Sequence, residues 1–236
     1  MKIAIVDSKI SPECERGLNK EGFYLLKLPP DASLGEAVCS HPDTVLFYSR
    51  GEIFTTADYC EGALPLLSDI REFKPEIKIN FTSDKRSEDY PHDCVMNALA
   101  LGDRLFCKAD SVSGAILDFA RRHGMKICPV KQGYPACATL AFGTGAITAD
   151  KGMANALREE GITVTEISQG GISLSPYEYG FIGGASGVYN KKVYFFGDLS
   201  THPDGEIIRR AIEDGGYTPV SLSGEPLADM GGIIFL

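Results

Sequence analysis

The 236-residue chain lacks several features that define whole classes of protein. It has no tryptophan, no CxxC pair among its seven cysteines, and no apolar run near the ~18–20 residues that span a bilayer. An odd number of cysteines without CxxC pairs argues against a disulfide framework or a zinc knuckle. The opening MKIAIVD has neither the basic region nor the long apolar core of a signal peptide. The sequence therefore predicts reduced thiols, no membrane contact and a cytoplasmic location.

Positive charge is also scarce. Lys and Arg total 23 against 32 Asp and Glu, which gives a formal net charge of −9. An acidic surface repels phosphate backbones, so nucleic acid is not an expected partner. With 44% apolar and 23% charged residues, the composition is otherwise that of an ordinary globular protein.

What the chain does contain is an internal repeat with a period of ~47 residues, a length typical of repeat architectures. Each unit has a short segment rich in aromatic residues, His, Pro or Gly, which we call the leading segment. An apolar strand, a turn, a second strand, a helix ending at glycine and a third strand follow it. The leading segments begin near Ser40, Tyr90, Tyr134, Tyr179 and Leu227. The second strands are predicted at Glu52–Thr55, Arg104–Lys108, Ala146–Thr148, Lys192–Phe196 and, by wrapping from the end of the chain to its start, Lys2–Val6.

Polar residues able to cap a helix mark the start of most of these helices. The predicted caps are Ser11 followed by Pro12, Asp110 or Ser111, Asp150, and Thr201 or Asp204. The second unit is the least regular, because Pro65 is expected to interrupt its helix before a returning strand within Lys74–Thr82.

The two ends of the chain look like halves of one unit. A unit of one helix and three strands cannot bury both faces of its sheet alone, so neighbouring units must share a core. The chain ends in LADMGGIIFL and begins with MKIAIVD, and pairing these halves would close a ring and remove exposed sheet edges. The sequence therefore predicts a single domain over residues 1–236. The alternative is an open α/β sheet in which the spacing is a coincidence.

Four runs, KQGYPACATLAF, YEYGFIGGASGVY, FFGDLSTHPD and LADMGGII, resemble an uncharacterised bacterial family of the pentein, or guanidine-modifying-enzyme, fold. The resemblance covers the whole chain. It implies an α/β fold, a five-bladed ββαβ propeller whose pseudo-fivefold ring is closed by pairing of the N- and C-terminal strands. Other members include arginine deiminase, dimethylarginine dimethylaminohydrolase, the amidinotransferases and a ribosome anti-association initiation factor. In the enzymes a cysteine attacks the guanidinium carbon, a histidine transfers protons and carboxylates hold the cation.

Aligning the five leading segments places three carboxylates and one thiol at equivalent positions. The tripeptides HPD, PHD, PAC, FIG and LAD end at Asp43, Asp93, Cys137, Gly183 and Asp229. Like charges that converge on one axis need a cation or shared protons, so we expect a small cationic molecule as the ligand. No motif predicts a cofactor. A hard metal ion on the three aspartates is a less favoured alternative, because no carboxylate-rich loop motif supports it.

Cys137 is the candidate nucleophile, and His92, beside Asp93, is the candidate for proton transfer. Each has a structural alternative. The Cys137 side chain could simply pack in the core or line the pore without reacting. His92 would point away from Asp93 if the two residues alternate along a strand. His41 and His202 both belong to His-Pro-Asp tripeptides, where a role in a turn or a cap is expected.

Five further residues complete the candidate binding site. Asn97 is expected on the same strand face as the acid of its segment, where it donates an amide hydrogen bond or supports a turn. Tyr134 and Tyr179 occupy equivalent positions and would pack over a planar guanidinium or along the rim. Gly183 and Gly184 would allow close backbone approach or bind a substrate carboxylate.

One departure from the enzymes bears on activity. Those proteins carry the nucleophile in a glycine-rich segment of the last unit, whereas this chain has Gly231 and Gly232 there and no thiol. The sequence therefore supports two functions. The first is a cysteine-dependent hydrolase or amidinotransferase for a small guanidinium or amidinium compound, with Cys137 as nucleophile. The second is a non-catalytic pentein that binds a small cation or a protein partner.

Overall fold

The computed structural model describes residues 1–236, apart from the side chain of Glu61, and its strands form five separate three-stranded sheets. The strands are β1 (Lys2–Asp7), β2 (Phe23–Leu28), β3 (Phe47–Ser49), β4 (Glu52–Thr56), β5 (Lys78–Thr82), β6 (Leu99–Leu101), β7 (Arg104–Cys107), β8 (Lys126–Pro129), β9 (Thr139–Phe142), β10 (Gly145–Thr148), β11 (Thr163–Glu166), β12 (Ser186–Tyr189), β13 (Lys192–Phe195), β14 (Thr218–Ser221) and β15 (Ile234–Phe235). The helices are α1 (Pro12–Lys20), α2 (Pro42–Val45), α3 (Ala57–Phe73), α4 (Gly114–Arg122), α5 (Pro135–Ala138), α6 (Lys151–Glu159) and α7 (Gly205–Asp214).

Every sheet has the same topology. Its central strand pairs antiparallel with one neighbour and parallel with the other. The parallel connection always runs through a helix, as a crossover between parallel strands requires. The central strands are β1, β4, β7, β10 and β13. These are the five predicted second strands, so the ββαβ repeat is confirmed.

The blade that contains β1 is built from both ends of the chain. β15 lies antiparallel to β1, with Ala4 opposite Phe235 and Ile5 opposite Ile234. Beyond the paired residues, the amide of Ile3 donates to the carbonyl of Leu236 and the amide of Leu236 donates back, at 3.2 and 3.0 Å. Closure by the terminal strands is therefore confirmed, and the alternative of one open sheet is wrong.

Neighbouring blades share their apolar cores, as units of this size must. Ile3 and Leu28, from the sheet of β1, are fully buried in one cluster with Ile53, Leu67 and Ile70 of the next blade. The cores therefore lie between the blades, and each blade completes the burial of its neighbour.

Of the four predicted helix caps, two make the expected hydrogen bond. The hydroxyl of Ser11 and the carboxylate of Asp150 each accept a hydrogen bond from the backbone amide three residues ahead, at 3.2 and 2.8 Å. The helix α4, in the third unit, begins later than predicted, so its cap is Ser113 and not Asp110 or Ser111. Several neighbouring polar residues can cap a helix, and the local pattern does not select among them.

The helix of the second unit runs through Pro65 without a break, contrary to the prediction. A proline inside a helix costs about 3 kcal/mol. Burial of one large apolar side chain contributes about 1.5–3 kcal/mol, so several of them offset that cost. The buried side chains of α3 are Tyr59, Ala63, Leu66, Leu67 and Ile70. Among the described helices, none is long and apolar enough to cross a bilayer.

The start of α7 also differs from the prediction in its contacts. Asp204 occupies the residue before the helix, but its side chain makes no hydrogen bond to the first turn. Its carboxylate accepts a hydrogen bond from the amide of Ser168, at 2.6 Å. Asp204 therefore ties the helix to the preceding loop, and Thr201 belongs to a short 3₁₀ turn.

The leading segments are turns and not strands. Two of them form single helical turns, α2 and α5, with Pro42 and Pro135 as their first residues. Proline fits the first turn of a helix because its missing amide would have no partner there. The alternation used to orient His92 and Asn97 therefore does not apply, because side chains in a turn do not follow a period of two.

Substitution of Gly17 tests the packing between two blades. A Cβ at this position of α1 would lie 2.4 Å from the backbone carbonyl oxygen of Leu222, which follows β14 of the neighbouring blade. Gly17→Ala should lower the free energy of unfolding by about 1–3 kcal/mol, because the backbone must move. Gly62→Ala in α3 meets nothing within 4 Å and is the matched control, expected to be neutral or stabilising by up to about 1 kcal/mol. Urea unfolding measures both, and equal effects would contradict this contact.

Candidate functional site

Three polar residues from different leading segments surround the thiol of Cys137, which belongs to a fourth. The Cys137 thiol donates a hydrogen bond to the Asp43 carboxylate, and the Asn97 amide lies 3.4 Å from the Cys137 sulfur. Asp229 is close enough for its charge to raise the pKa of both Asp43 and Cys137. The structure therefore brings together the thiol, two of the three predicted aspartates and the predicted asparagine.

Asn97 joins three leading segments through its side chain. Its Nδ2 donates to the backbone carbonyl of Asp43 at 3.1 Å, and its Oδ1 accepts from the backbone amide of Ala136 at 2.9 Å. Because Asn97 is 1% exposed, these bonds fix the distance between the segments that carry Asp43 and Cys137. Asn97 is thus a positioning residue as well as a polar neighbour of the thiol.

Gly183 and Gly184 let the fourth leading segment approach the centre. A Cβ on Gly183 would lie 2.1 Å from the carbonyl oxygen of Ala136, and one on Gly184 would lie 2.0 Å from Oδ1 of Asp229. The amide of Gly184 donates to the carbonyl of Cys137 at 3.1 Å. The close-approach role expected for these glycines has a direct steric basis here.

Asp229 is held by backbone amides. Its Oδ1 accepts from Gly231 at 3.0 Å and its Oδ2 accepts from Phe181 at 2.8 Å. Burial raises the pKa of Asp229 to about 6, against the lowering effect of these two hydrogen bonds, and the charge of Asp7 raises it further. Burial therefore holds the pKa of this carboxyl above the ordinary range of an aspartate.

Asp43 and Cys137 are both biased toward their neutral forms. Burial, followed by the charge of Asp229, raises the pKa of Asp43, and its Oδ1 is buried with no hydrogen-bond partner among the described residues. Burial and the charges of Asp43 and Asp229 raise the pKa of the Cys137 thiol. Without a cation, protons therefore supply the missing positive charge.

A cavity of about 340 Å³ opens beside this cluster, and its described lining contains acids and aromatic rings but no lysine or arginine. Its lining residues are Val38, His41, Thr44, Asp93, Tyr134, Cys137, Leu174, Tyr177, Glu178, Tyr179, Phe181 and Asp229. The volume lies in the range of small-molecule sites. Such a lining suits a small cation with an apolar body.

Asp93 and Tyr134 form a second polar pair in the cavity wall. The Tyr134 hydroxyl donates to Oδ2 of Asp93, while Oδ1 is buried and has no partner among the described residues. Burial raises the pKa of Asp93, and the hydrogen bond from Tyr134 opposes that rise. Tyr134 therefore orients the acid, whereas Tyr179 lines the cavity without such a bond in the described contacts.

His92 lies outside the cavity lining, and His41 lies within it. His92 is exposed on the surface. His41 is 2% exposed, with Nε2 3.6 Å from Oδ2 of Asp7 and Nδ1 3.9 Å from Oδ1 of Asp229. Burial lowers the pKa of His41 to about 3, so the imidazole is neutral. His41 does occupy the N-cap position of α2, as its His-Pro-Asp tripeptide predicts, but the tripeptide gives no sign that the imidazole also lines the cavity.

The other His-Pro-Asp tripeptide does serve a turn. Nδ1 of His202 accepts a hydrogen bond from the amide of Asp204 at 3.0 Å. The two tripeptides are therefore identical in sequence and different in role, and only position in the ring distinguishes them.

Asp7, at the end of β1, is a second residue that sequence reasoning missed. Its Oδ1 accepts hydrogen bonds from the Ser40 hydroxyl at 2.7 Å and the Lys9 amide at 2.6 Å. Its Oδ2 is buried without a hydrogen-bond partner and faces His41. The sequence signal for a buried acid of this kind is an apolar strand that ends in an aspartate, as IAIVD does.

The described residues include no group of three His, Cys, Asp or Glu side chains arranged to hold a metal ion. The alternative of a metal site on Asp43, Asp93 and Asp229 therefore gains no support from their geometry. The hydrogen-bond partners of Asp43 and Asp93, a thiol and a phenol, are also not those of a hard-metal site.

Solved structures share this architecture. A dimethylarginine dimethylaminohydrolase, solved as an adduct with 4-chloro-2-hydroxymethylpyridine, matches with a TM-score of 0.57 at 11% identity, covering 94% of this chain and 92% of that one. The amidinotransferase SxtG from Microseira wollei matches at 0.56 and 13%, covering 94% and 88%. The agmatine deiminase of C. jejuni matches at 0.51 and 9%, covering 94% and 75%. The protein therefore has the pentein fold of guanidine-modifying enzymes.

Within that fold the chain has a more specific place. A family model described as a family of unknown function, DUF6873, matches residues 5–234. The chain belongs to this family. The comparison with curated proteins found no match.

Substitution of Asp43 tests the electrostatics of the cluster. The native-state pKa of Asp43 lies above the ordinary value of 3.8, so the contribution of this carboxyl to stability falls as the pH rises from about 4 through that raised value. Asp43→Asn cannot ionise and should escape this loss. Its free energy of unfolding, taken relative to that of the wild type, should therefore rise between pH 4 and pH 8.

Urea unfolding between pH 4 and pH 8 measures this difference. Asp89→Asn is the control, because Asp89 is exposed in a neighbouring loop and should leave the pH dependence unchanged. A constant offset between Asp43→Asn and the wild type across this range would contradict the raised pKa.

Proposed function

We propose that this protein is a cysteine-dependent enzyme that acts on a small guanidinium or amidinium compound, either hydrolysing it or transferring its amidino group. The observation that carries the proposal is the contact of the Cys137 thiol with Asp43, beside Asp229, at a cavity without basic side chains in its described lining. The fold supports it, since deiminases, amidinotransferases and dimethylaminohydrolases share that fold.

A guanidinium ion supplies what the cluster lacks. It is planar and cationic, and it donates several hydrogen bonds to carboxylates in a fixed geometry. The buried oxygens without partners, Oδ1 of Asp43 and Oδ1 of Asp93, are acceptors for such donors. A bound cation also lowers the pKa values that burial and mutual repulsion raise, so the acids ionise when the substrate is present.

In the first chemical step, Asp43 accepts the proton of the Cys137 thiol, and the sulfur attacks the guanidinium carbon to form a C–S bond. One C–N bond then breaks, and its nitrogen leaves as ammonia or an amine after receiving a proton from Asp43. In the hydrolytic reaction, water adds to the carbon and gives up its two protons. One returns to the sulfur as the C–S bond breaks and the other is released, so that a urea, the free thiol and one proton result. In a transfer reaction, an amine replaces water and a new guanidinium compound is formed.

We assign proton transfer in the second step to His41. Its neutral imidazole lines the cavity, and it can accept a proton from the attacking water only briefly, because burial disfavours the imidazolium, before passing that proton to the departing sulfur. The carboxylate of Asp7 faces Nε2 of His41 and that of Asp229 faces Nδ1, so both stabilise the imidazolium that forms. His92, proposed from the sequence, is replaced in this role because it is exposed and outside the lining.

A second candidate function is non-catalytic binding of a small cation at the same acids. The observation that favours it is the raised pKa of Cys137, which makes the free thiol a poor nucleophile until a cation binds. In this case Cys137 serves only as a hydrogen-bond donor to Asp43.

The cation requirement can be tested with two matched alkylating agents, cationic 2-chloroacetamidine and neutral 2-chloroacetamide. The amidinium should bring the first reagent to the acids, so Cys137 should react at least about tenfold faster with it. The two reagents also differ in their intrinsic reactivity toward thiols. The ratio of their rates at partly exposed Cys60 measures that difference and is used to normalise the rates at Cys137. Peptide mapping by mass spectrometry gives both rates. The Asp43→Asn variant should lose most of the preference, and equal normalised rates at Cys137 in the wild type would refute cation recognition.

Cys137→Ser separates the enzyme from the binder. The hydroxyl can still donate to Asp43, so affinity for alkylguanidines should stay within about threefold of the wild type, measured by calorimetry. Release of ammonia, amine or urea should fall to background in the variant, because a serine hydroxyl is a far weaker nucleophile. Turnover by the serine variant would overturn the role of Cys137, and wild-type binding without turnover of any alkylguanidine would favour the second function.

A further inference from the structure

The charged groups around the cavity are of one sign. Asp93, Glu178 and Asp229 belong to the lining, and no lysine or arginine does among the described residues. His41 adds no positive charge, because burial lowers its pKa to about 3. Any carboxylate on a ligand would therefore meet only like charges within this cavity.

Asp93 has a carboxylate oxygen that no described residue satisfies. It is 8% exposed, and its Oδ1 is buried without a partner in the described part of the chain. The acids around Cys137 belong to other leading segments, and Asp93 has its own partner, Tyr134. A ligand that satisfies only the Cys137 cluster leaves this oxygen unpaired, at a cost of about 1–3 kcal/mol.

The outer wall of the cavity is built from one short strip, 174–179. Leu174 and Tyr177 pair across it as an isolated antiparallel bridge, and both line the cavity with Tyr179. These side chains present apolar surface to an alkyl chain. Glu178 is exposed at this wall and makes no ion pair among the described contacts, so its carboxylate is available to a second cation.

An adjoining cavity contains the nearest alternative for an anion. It shares His41, Leu174 and Asp229 with the first cavity, and its lining includes Lys9. The Lys9 ammonium donates to the backbone carbonyl of Glu36, and its charge acts on Asp7. Lys9 is therefore engaged, and the Glu36 side chain in the same lining also disfavours an anion.

From this one-signed lining we infer that the substrate is a guanidinium compound whose alkyl tail ends in a second cationic group and bears no carboxylate. The inference rests on the proposed function of the site. The guanidinium binds at Asp43, Asp229 and Cys137. The alkyl chain lies against residues 174–179, and the terminal ammonium binds the carboxylates of Asp93 and Glu178. A free amino acid with the same guanidinium group is rejected, because its carboxylate would be placed among acids.

The test compares three ligands that share a guanidinium group, namely agmatine, n-butylguanidine and L-arginine. Calorimetry on folded Cys137→Ser protein prevents turnover during the measurement. Agmatine should bind at least about tenfold more tightly than L-arginine, and n-butylguanidine should lie between them. Glu178→Gln should weaken agmatine about three- to tenfold and leave n-butylguanidine unchanged. Glu159→Gln, an exposed acid on α6 outside this lining, is the matched control and should change neither.

The outcomes separate this inference from the proposed function. L-arginine binding as tightly as agmatine would overturn the inference, and selective loss of that binding in Lys9→Gln would place the carboxylate in the adjoining cavity. Binding of n-butylguanidine without preference for agmatine would also overturn it while leaving the proposed function in place. If none of the three ligands binds the folded protein, both are refuted.

Discussion

The pairing of β15 with β1 holds the last leading segment against the centre of the ring. Two residues of β15 pair with two residues of β1 in the sheet. Beyond them, the backbones of Ile3 and Leu236 form two further hydrogen bonds. The amide of Gly232 also donates to the carbonyl of Gly184 at 2.7 Å, so this segment is fixed to the fourth blade as well. Asp229 lies only a few residues before β15. Its place beside His41 therefore depends on closure, and so does the effect of its charge on the pKa values of Asp43 and Cys137.

Closure of the ring brings several acids together, and their burial and mutual repulsion favour the protonated forms. Burial raises the pKa of Asp229 to about 6 and raises those of Asp43 and the Cys137 thiol as well. The ligand-free site thus holds protons that a cation can replace, and cation binding and proton release are linked. In the proposed enzyme, this linkage would make the Cys137 thiol a nucleophile only when a cationic substrate is bound. A high thiol pKa in the empty site is therefore compatible with catalysis and protects the sulfur from unrelated electrophiles.

The sequence predicted those parts of the fold that depend on local pattern. The five central strands follow from apolar runs at a constant spacing, and Ser11 and Asp150 cap helices through bonds within four residues. The prediction was wrong where packing decides between local options, as for Pro65, which lies inside a helix with a well-buried apolar face. His41 could not be assigned from its tripeptide, because His202 occurs in the same tripeptide and faces a turn.

The convergence of the site residues could be predicted only through the ring. Cys137, Asp43 and Asp229 are distant in sequence and were related by their equivalent positions in the repeat. The orientation of Asn97 could not be derived in this way, because its segment is a turn and not a strand. Asp7 carries no motif of its own, and it enters the site because β1 is the central strand of the closing blade.

The missing thiol of the last blade also has a physical explanation in this structure. Gly231 has a φ of +69°, and a Cβ there would lie 2.3 Å from Cβ of His41. A cysteine at this position would be strained in its backbone and would collide with the imidazole-bearing residue. The space that a last-blade side chain would need is thus occupied by His41, which approaches Asp229 and Asp7 from the first leading segment. A side chain at residue 231 and the imidazole of His41 in its present place therefore exclude each other.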